Sequence, residues 1–250
     1  MSRCSIYQII HTLDGEILHL DEHLKILFEA YYQVFSTGVK ISKPQVESLI
    51  EEAIEQNRCP QGVSLFIELL LDRSGKISVG ACERSLYRGY TLRCISPRAA
   101  LVEYTLPHIE APTSVRRDVA QYAATIARQS GGDLAIRSYK GYADMIGEAQ
   151  LFAARDNCII TAEGSYSVEH KLAIKALGEM GVELQQRPVA VEEIAHFDEL
   201  FFVDHYGVTA IKCCGSTHYM SIMANSLAKK LSEIVAPRSL QKKAILGDLA

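Results

Sequence analysis

Several features that would assign a protein to a broad class are missing from this sequence of 250 residues. The seven cysteines form no CxxC pair and their number is odd, so neither a disulfide framework nor a zinc site is expected. No segment concentrates lysine and arginine, and the formal net charge is −4, which argues against a nucleic-acid partner. No apolar run reaches the length of a membrane span, so no membrane partner is expected.

The composition that remains is typical of a globular protein. Hydrophobic residues make up 48% of the chain, and its length suits one large domain or two modest ones. Residues 1–4 lead directly into the first predicted strand, so no signal peptide is expected. Reduced cysteines and the absence of targeting signals together predict a cytoplasmic protein.

Local signals in the first part of the chain predict both strands and helices. Asp14-Gly15 is a dipeptide that tolerates the positive φ of a tight turn, so it predicts a β-hairpin. Asp21 begins a helix directly after the second strand, and Ser42 begins another with a capping box. Strands are predicted at 63–71, 76–82 and 90–95, which makes residues 1–105 a small α+β domain.

Two prolines interrupt the pattern in residues 106–113, which we predict to be an interdomain linker. Residues 114–250 then form a larger α/β domain with helices at 114–130, 167–180 and 217–235. Strands are expected at 133–139, 158–162, 199–203 and 208–212. Residues 236–250 are predicted to be a loose tail or a short helix.

Four segments resemble, in order, those of the fold-type IV pyridoxal-phosphate enzymes. This family includes the branched-chain and D-amino-acid aminotransferases and the aminodeoxychorismate lyases. The matching segments are DGEILHLDEHLKIL (14–27), GEAQLFAARDNCIIT (147–161), LAIKALGEMGVELQQRPV (172–189) and EEIAHFDELFF (192–202). The resemblance covers most of the chain and implies a two-domain fold, a homodimer and pyridoxal 5′-phosphate (PLP) as cofactor.

The lysine that this chemistry requires is not at its expected place. In the family it precedes a helix of the type KxxNYxxxxxA, and the similar segment here is RDVAQYAATIA (117–127), which puts Arg117 at the lysine position. Arginine stays protonated and cannot supply the free amine of a Schiff base. The alternative candidate for the catalytic lysine is Lys140, which requires residues 143–155 to form the following helix. Lys140 as a solvated charge at the end of a strand is the competing interpretation.

The other cofactor contacts are matched unevenly. The resemblance places Glu148 opposite the pyridine nitrogen, where a carboxylate keeps that nitrogen protonated. The family's phosphate-binding arginine is replaced by Ile26. The phosphate position at a helix N-terminus corresponds to SVEH (167–170), so Ser165 and Ser167 are the candidate donors there, and Thr209 is the candidate phosphate threonine. Ser167 as a simple N-cap and Thr209 as a strand residue are the structural alternatives.

Two functions follow from this combination. The first is a PLP-dependent transaminase or lyase acting on a small amino acid or keto acid, with Lys140 as its nucleophile. The second is a divergent homologue that has lost the lysine chemistry and acts as a binding or interaction protein. The replacements at Ile26, Arg117 and 167–170 favour the second, since each separately weakens the hold on the cofactor.

Overall fold

An antiparallel sheet with two helices forms the first part of the computed structural model, which describes residues 4–108, 110–164 and 167–234. The sheet order is β2-β1-β3-β4. Its strands are β1 (Ile6–Leu13), β2 (Glu16–Ile17), β3 (Ser64–Leu71) and β4 (Ile77–Ser85), and its helices are α1 (Leu20–Phe35) and α2 (Lys43–Asn57). The apolar faces of both helices join those of β1 and β3 in one buried cluster.

The predicted hairpin and capping box are confirmed. Asp14 and Gly15 connect β1 to β2 with φ angles of 52° and 83°, which is the left-handed backbone that a two-residue turn requires. At the start of α2, the Ser42 backbone N–H donates to Oε1 of Gln45 at 2.9 Å. These local signals therefore fix the start of each element.

The second part of the chain is built on an eleven-stranded mixed sheet. Its main path runs β10-β9-β8-β7-β6-β5-β14-β15, while β11 pairs with β7, and β12 pairs with β8 and β13. The strands are β5 (Arg98–Glu103), β6 (Leu134–Tyr139), β7 (Tyr142–Ile146), β8 (Ala149–Arg155), β9 (Cys158–Thr161), β10 (Glu183–Gln186), β11 (Val189–Ala190), β12 (Glu199–Asp204), β13 (Gly207–Ala210), β14 (Cys213–Cys214) and β15 (Thr217–His218). The helices are α3 (Ser114–Gln129), α4 (Val168–Glu179) and α5 (Ile222–Ile234), and a 3₁₀ turn spans Val191–His196.

The mixed helix-and-sheet class is confirmed, but the sheets divide the chain earlier than the predicted linker. β5 pairs with β6 and β14, so it belongs to the second sheet although it lies within residues 1–105. The predicted strand 90–95 is reduced to one bridge between Leu92 and Val208. Part of the predicted linker packs along β1, where the Tyr7 backbone N–H donates to the Pro112 carbonyl at 3.0 Å. The division into domains at 105 and 114 stays a prediction.

The end of the chain differs from the sequence expectation. The last helix begins at Ile222 rather than at 217, because Thr217 and His218 pair with β14 as a short strand. The predicted tail 236–250 lies outside the described residues. None of the described helices combines the length and the apolar content that crossing a membrane demands.

Gly207, the first residue of β13, lies against the segment around residue 91. Its φ is 118°, and a Cβ atom built on it would lie 2.4 Å from the carbonyl oxygen of Thr91. That same oxygen accepts the backbone N–H of Val208 at 3.0 Å. The backbones are therefore packed too closely for any side chain at this position.

We expect Gly207→Ala to lower the free energy of unfolding by more than about 2 kcal/mol, because it combines a clash with a strained φ. Gly178→Ala is the matched control: Gly178 lies inside α4 with open space at its Cβ position. That change should be neutral or stabilising by about 0.5–1 kcal/mol. Urea unfolding of both variants measures this, and equal stabilities would show that the close approach does not exist.

Candidate functional site

A cleft with a volume of about 760 Å³ is lined by both parts of the chain. Tyr7 and Glu68 reach it from the first sheet, Arg117 from the first turn of α3, Glu148 from the turn between β7 and β8, and Asp204 from the end of β12. Such a cavity is large enough to hold a small metabolite. The residues around it form two separate groups.

Arg117 is the centre of the first group. Its Nη1 donates to Oε1 of Glu68 at 2.6 Å, and its Nε lies 3.7 Å from Oε2 of Glu148. The guanidinium carbon lies 3.5 Å from the centre of the Tyr7 ring, a close cation–π contact. Burial lowers the pKa of the Arg117 guanidinium, but the interactions with Tyr7 and Glu68 together have the larger effect. The pKa is therefore raised above the ordinary value for arginine. Arg117 is therefore a permanently charged structural contact.

The N-terminus of α3 positions Arg117 at the wall of the cleft. Thr113 is the N-cap, and its side-chain oxygen accepts the backbone N–H of Arg116 at 3.1 Å. Arg116 is itself 5% exposed and donates from Nη2 to the backbone carbonyl of Glu148 at 3.1 Å. Two adjacent arginines thus tie the helix N-terminus to the β7–β8 turn.

Glu148 lies at the wall of the cleft, partly shielded from water. Burial raises its pKa, while a hydrogen bond from Tyr7 and the charges of Arg116 and Arg117 lower it. Its Oε1 atom is buried and has no hydrogen-bond partner among the described residues. The predicted candidate Glu148 is thus a cleft residue, and the structure pairs it with Arg117.

The second group begins at the N-terminus of α4, where Ser167 and Glu169 line the cleft. Ser167 caps the helix by accepting the backbone N–H of His170 at 3.3 Å. Its hydroxyl also donates to Oε2 of Glu169 at 2.5 Å. Glu169 is 6% exposed, and burial raises its pKa despite this hydrogen bond. Ser165 lies outside the described residues.

Asp204 and His205 complete this group from the end of β12 and the turn after it. Burial raises the pKa of Asp204 to about 7, although the Arg93 charge opposes the shift and the Glu169 charge adds to it. Burial lowers the pKa of His205 to about 3, so its ring is neutral at pH 7. Arg93 is the cation at this end, and its guanidinium lies 4.8 Å from the centre of the Tyr206 ring.

Lys140 is not part of the cleft. It lies with Gly141 in the two-residue turn between β6 and β7, where their φ angles are 50° and 82°. The helix that its catalytic role requires is absent, because residues 142–155 form the strands β7 and β8. Its ammonium group is exposed and lies 5.2 Å from the Tyr139 ring centre. Among the described residues, no lysine lines the cleft.

Thr209 is also displaced from the lining. It is fully buried on β13, and its hydroxyl oxygen lies 3.4 Å from Nη1 of Arg93, from which it accepts a hydrogen bond. Thr209 therefore supports Arg93. Ile26 is buried in α1 within the first part of the chain and is likewise absent from the described lining.

Several cleft residues were missed from the sequence. Glu68 interrupts the apolar strand SLFIELLL, and a lone acid in a buried strand is a signal that was available. Glu169 and Asp204 carry no comparable signal, because their proximity arises only from packing α4 against β12. Tyr7, near the start of the largely buried strand β1, gives no sign that an arginine stacks on it.

The arrangement of two sheets around this cleft is that of the fold-type IV aminotransferases. A branched-chain aminotransferase from Thermoproteus uzoniensis, solved with norvaline, matches with a TM-score of 0.78 at 19% identity, over 92% of this chain and 85% of that one. The Escherichia coli branched-chain amino acid aminotransferase matches with a TM-score of 0.76 at 14% identity, over 91% of this chain and 83% of that one. A fold IV-transaminase from Curtobacterium pusillum matches with a TM-score of 0.75 at 16% identity, over 93% of this chain and 86% of that one. At such identities the likeness establishes the fold alone.

The family follows from a separate comparison. The family model described as amino-transferase class IV matches residues 5–212, which is most of the chain. This chain belongs to the amino-transferase class IV family, as the four sequence segments predict. No curated protein matches it.

The Arg117–Glu68 pair gives a stability prediction. Arg117→Gln should destabilise the protein more than Glu68→Gln, because it leaves two half-buried carboxylates without their cation. A double-mutant cycle should give a coupling energy of about 1–3 kcal/mol. The exposed pair Arg98–Asp133 is the control, for which a weaker coupling is expected because water screens both charges. Additive effects at Arg117 and Glu68 would contradict the contact.

Asp204 gives a prediction on pH. Its pKa of about 7 in the folded state lies above its unfolded value of 3.8, so the folded state binds this proton more tightly. Its contribution to stability is therefore complete below pH 3.8 and is lost as the pH rises through 7. Between about pH 4 and 7, the wild type should lose stability relative to Asp204→Asn, by at most about 1.4 kcal/mol per pH unit, and the difference should level off above pH 7. Parallel thermal-unfolding profiles of the two proteins would contradict the shifted pKa.

Proposed function

We propose that this class IV aminotransferase-like protein binds a small amino acid or keto acid in its cleft and does not hold pyridoxal phosphate on a lysine. It would then act as a binding protein with the family's fold rather than as a conventional transaminase. The observation that carries the proposal is the lack of any lysine among the described residues of the cleft wall. Transamination through PLP needs a free amine at that wall, and an arginine cannot replace it.

The family implies PLP as cofactor, and the described residues do not fit it. PLP would need a lysine for its Schiff base, and the described cleft wall has none. PLP would also need a site for its phosphate group. At the helix N-terminus that the resemblance assigns to it, Glu169 and Asp204 contribute two carboxylates, against which Arg93 is the cation. Carboxylates beside a phosphate dianion oppose its binding.

Family membership favours one other candidate, an active aminotransferase or lyase. That function needs a lysine to enter the cleft, and Lys140 is held in a hairpin turn away from it. We therefore rank it second. By family resemblance we also propose that the chain forms a homodimer, and from its cysteine pattern that it is cytoplasmic.

The visible spectrum of the purified protein with added PLP tests the function, before and after borohydride reduction, followed by peptide mass mapping. We expect the spectrum to show only the absorption of free PLP, with no additional aldimine band. After reduction, the protein should carry no PLP adduct on any one lysine. Lys140→Ala is the matched variant and should behave as the wild type does. A stoichiometric adduct on one lysine would overturn the proposal, and the modified peptide would identify the nucleophile.

A further inference from the structure

One edge of the Arg117 guanidinium is not paired with any side chain of the described residues. Its Nη1 donates to Oε1 of Glu68 at 2.6 Å, which engages one side of the group. The opposite edge carries Nε and Nη2. Nε lies 3.7 Å from Oε2 of Glu148, beyond hydrogen-bonding distance, and Nη2 is buried without a hydrogen-bond partner among the described residues. This edge therefore lacks the pair of acceptors that a guanidinium can bind.

Two other arginines of this chain show what such an edge binds. Nε of Arg137 donates to Oδ1 of Asp144 at 2.8 Å, and its Nη2 donates to Oδ2 of the same carboxylate. Nε and Nη2 of Arg98 donate to the two oxygens of Asp133, each at 3.2 Å. In both cases one carboxylate pairs with the whole edge, because the guanidinium fork and the carboxylate match in geometry. The same group is the natural acceptor for Arg117, which lines the cleft.

Glu148 contributes an acceptor beside this edge. Its Oε1 is buried and has no hydrogen-bond partner among the described residues. The side chains of Arg117 and Glu148 are 26% and 31% exposed, and both line the cleft. The last torsion of a glutamate is broad, so rotation about it turns Oε1 toward a group that enters between the two side chains. A ligand placed there meets the donors of Arg117 and an acceptor of Glu148 together.

The contacts around this pair hold it in place and balance its charge. The Tyr7 ring centre lies 3.5 Å from the guanidinium carbon of Arg117, and Arg116 donates to the backbone carbonyl of Glu148 at 3.1 Å. A site that is held in its binding geometry loses less entropy when a ligand binds. The two arginines equal in number the carboxylates of Glu68 and Glu148, so a ligand without net charge fits this wall best.

We propose that Arg117 and Glu148 bind an intact α-amino acid as its zwitterion, with the carboxylate on the Nε–Nη2 edge of Arg117 and the ammonium group on Oε1 of Glu148. The proposal rests on the proposed function, because it names the amino acid rather than the keto acid as the ligand of the cleft. A keto acid brings its carboxylate beside Glu148 without a cation to offset the repulsion. A simple amine leaves the edge of Arg117 unpaired. The pair therefore recognises both charged groups of one ligand.

Isothermal titration of the full chain at pH 7 with three matched probes tests this. Racemic 2-aminobutanoate carries both charged groups, 2-oxobutanoate keeps only the carboxylate, and propan-1-amine keeps only the ammonium group. We expect 2-aminobutanoate to bind at one site per chain, and each of the other two at least about 10-fold more weakly, since each loses one charge-assisted hydrogen-bonded contact. If 2-aminobutanoate does not bind, or binds no better than 2-oxobutanoate or propan-1-amine, the subsite is wrong.

Glu148→Gln tests the ammonium contact. It should weaken the binding of 2-aminobutanoate about 10- to 100-fold, because the charge that pairs with the ammonium group is removed. Binding of 2-oxobutanoate should become tighter, because the same change removes the repulsion. Glu192→Gln is the matched control, since Glu192 is exposed and outside the described cleft lining, and it should change neither affinity. A purely structural role of Glu148 would change both affinities in the same direction, and that result would overturn the assignment.

Arg117→Gln tests the carboxylate contact. It should weaken 2-aminobutanoate binding at least about 10-fold, whereas Arg98→Gln, which changes an arginine outside the described cleft lining, should leave it unchanged. Circular dichroism shows whether each variant is folded, and if Arg117→Gln is not, the opposite shifts expected of Glu148→Gln decide the matter. Unchanged affinity in folded Arg117→Gln would overturn the assignment.

The test with PLP distinguishes the two proposals. A reduced adduct on one lysine contradicts the proposed function. A chain that forms no adduct and shows no preference for 2-aminobutanoate contradicts the zwitterion subsite alone.

Discussion

The cleft depends on the guanidinium of Arg117. It lies over Tyr7 of β1, donates to Glu68 of β3 and faces Glu148 in the β7–β8 turn, so one side chain contacts both sheets from the start of α3. A positive charge in the first turn of a helix is unfavourable with the helix dipole, and Arg116 adds a second. The carboxylates of Glu68 and Glu148 offset that cost, which makes their positions a condition for α3 to begin where it does.

This arrangement also determines what the wall of the cleft can do. A group that must exchange protons or form a covalent bond needs a pKa near the working pH, and Arg117 is held far from it. Opposing effects act on the pKa of Glu148, because burial raises it while Tyr7 and the arginines lower it. The wall therefore holds fixed charges that orient a ligand. Under the proposed function these charges position a ligand, and the described wall offers no lysine as a nucleophile.

Local chemistry accounts for most of what the sequence predicts. Asp14-Gly15 and the Ser42 capping box act within a few residues, and both occur as expected. In the Lys140-Gly141 turn only the glycine is a turn signal, because glycine readily takes the positive φ found at its position whereas lysine does not. The placement of Lys140 at a strand end was available from the sequence, whereas the helix over 143–155 was not supported by it.

What could not be predicted depends on contacts between distant segments. The residues that form β5 were placed in the first part of the chain without a predicted strand, because its partners β6 and β14 both lie later in the sequence. The same holds for the group at the other end of the cleft: Glu169 and Asp204 come from two distant segments, and neither is unusual in its own neighbourhood. Their interest is energetic. Two shielded carboxylates at one end of a cleft cost free energy in the folded protein, and a sequence optimised for stability alone would replace them with apolar side chains. Their presence is therefore better explained by the function of the cleft than by the stability of the fold.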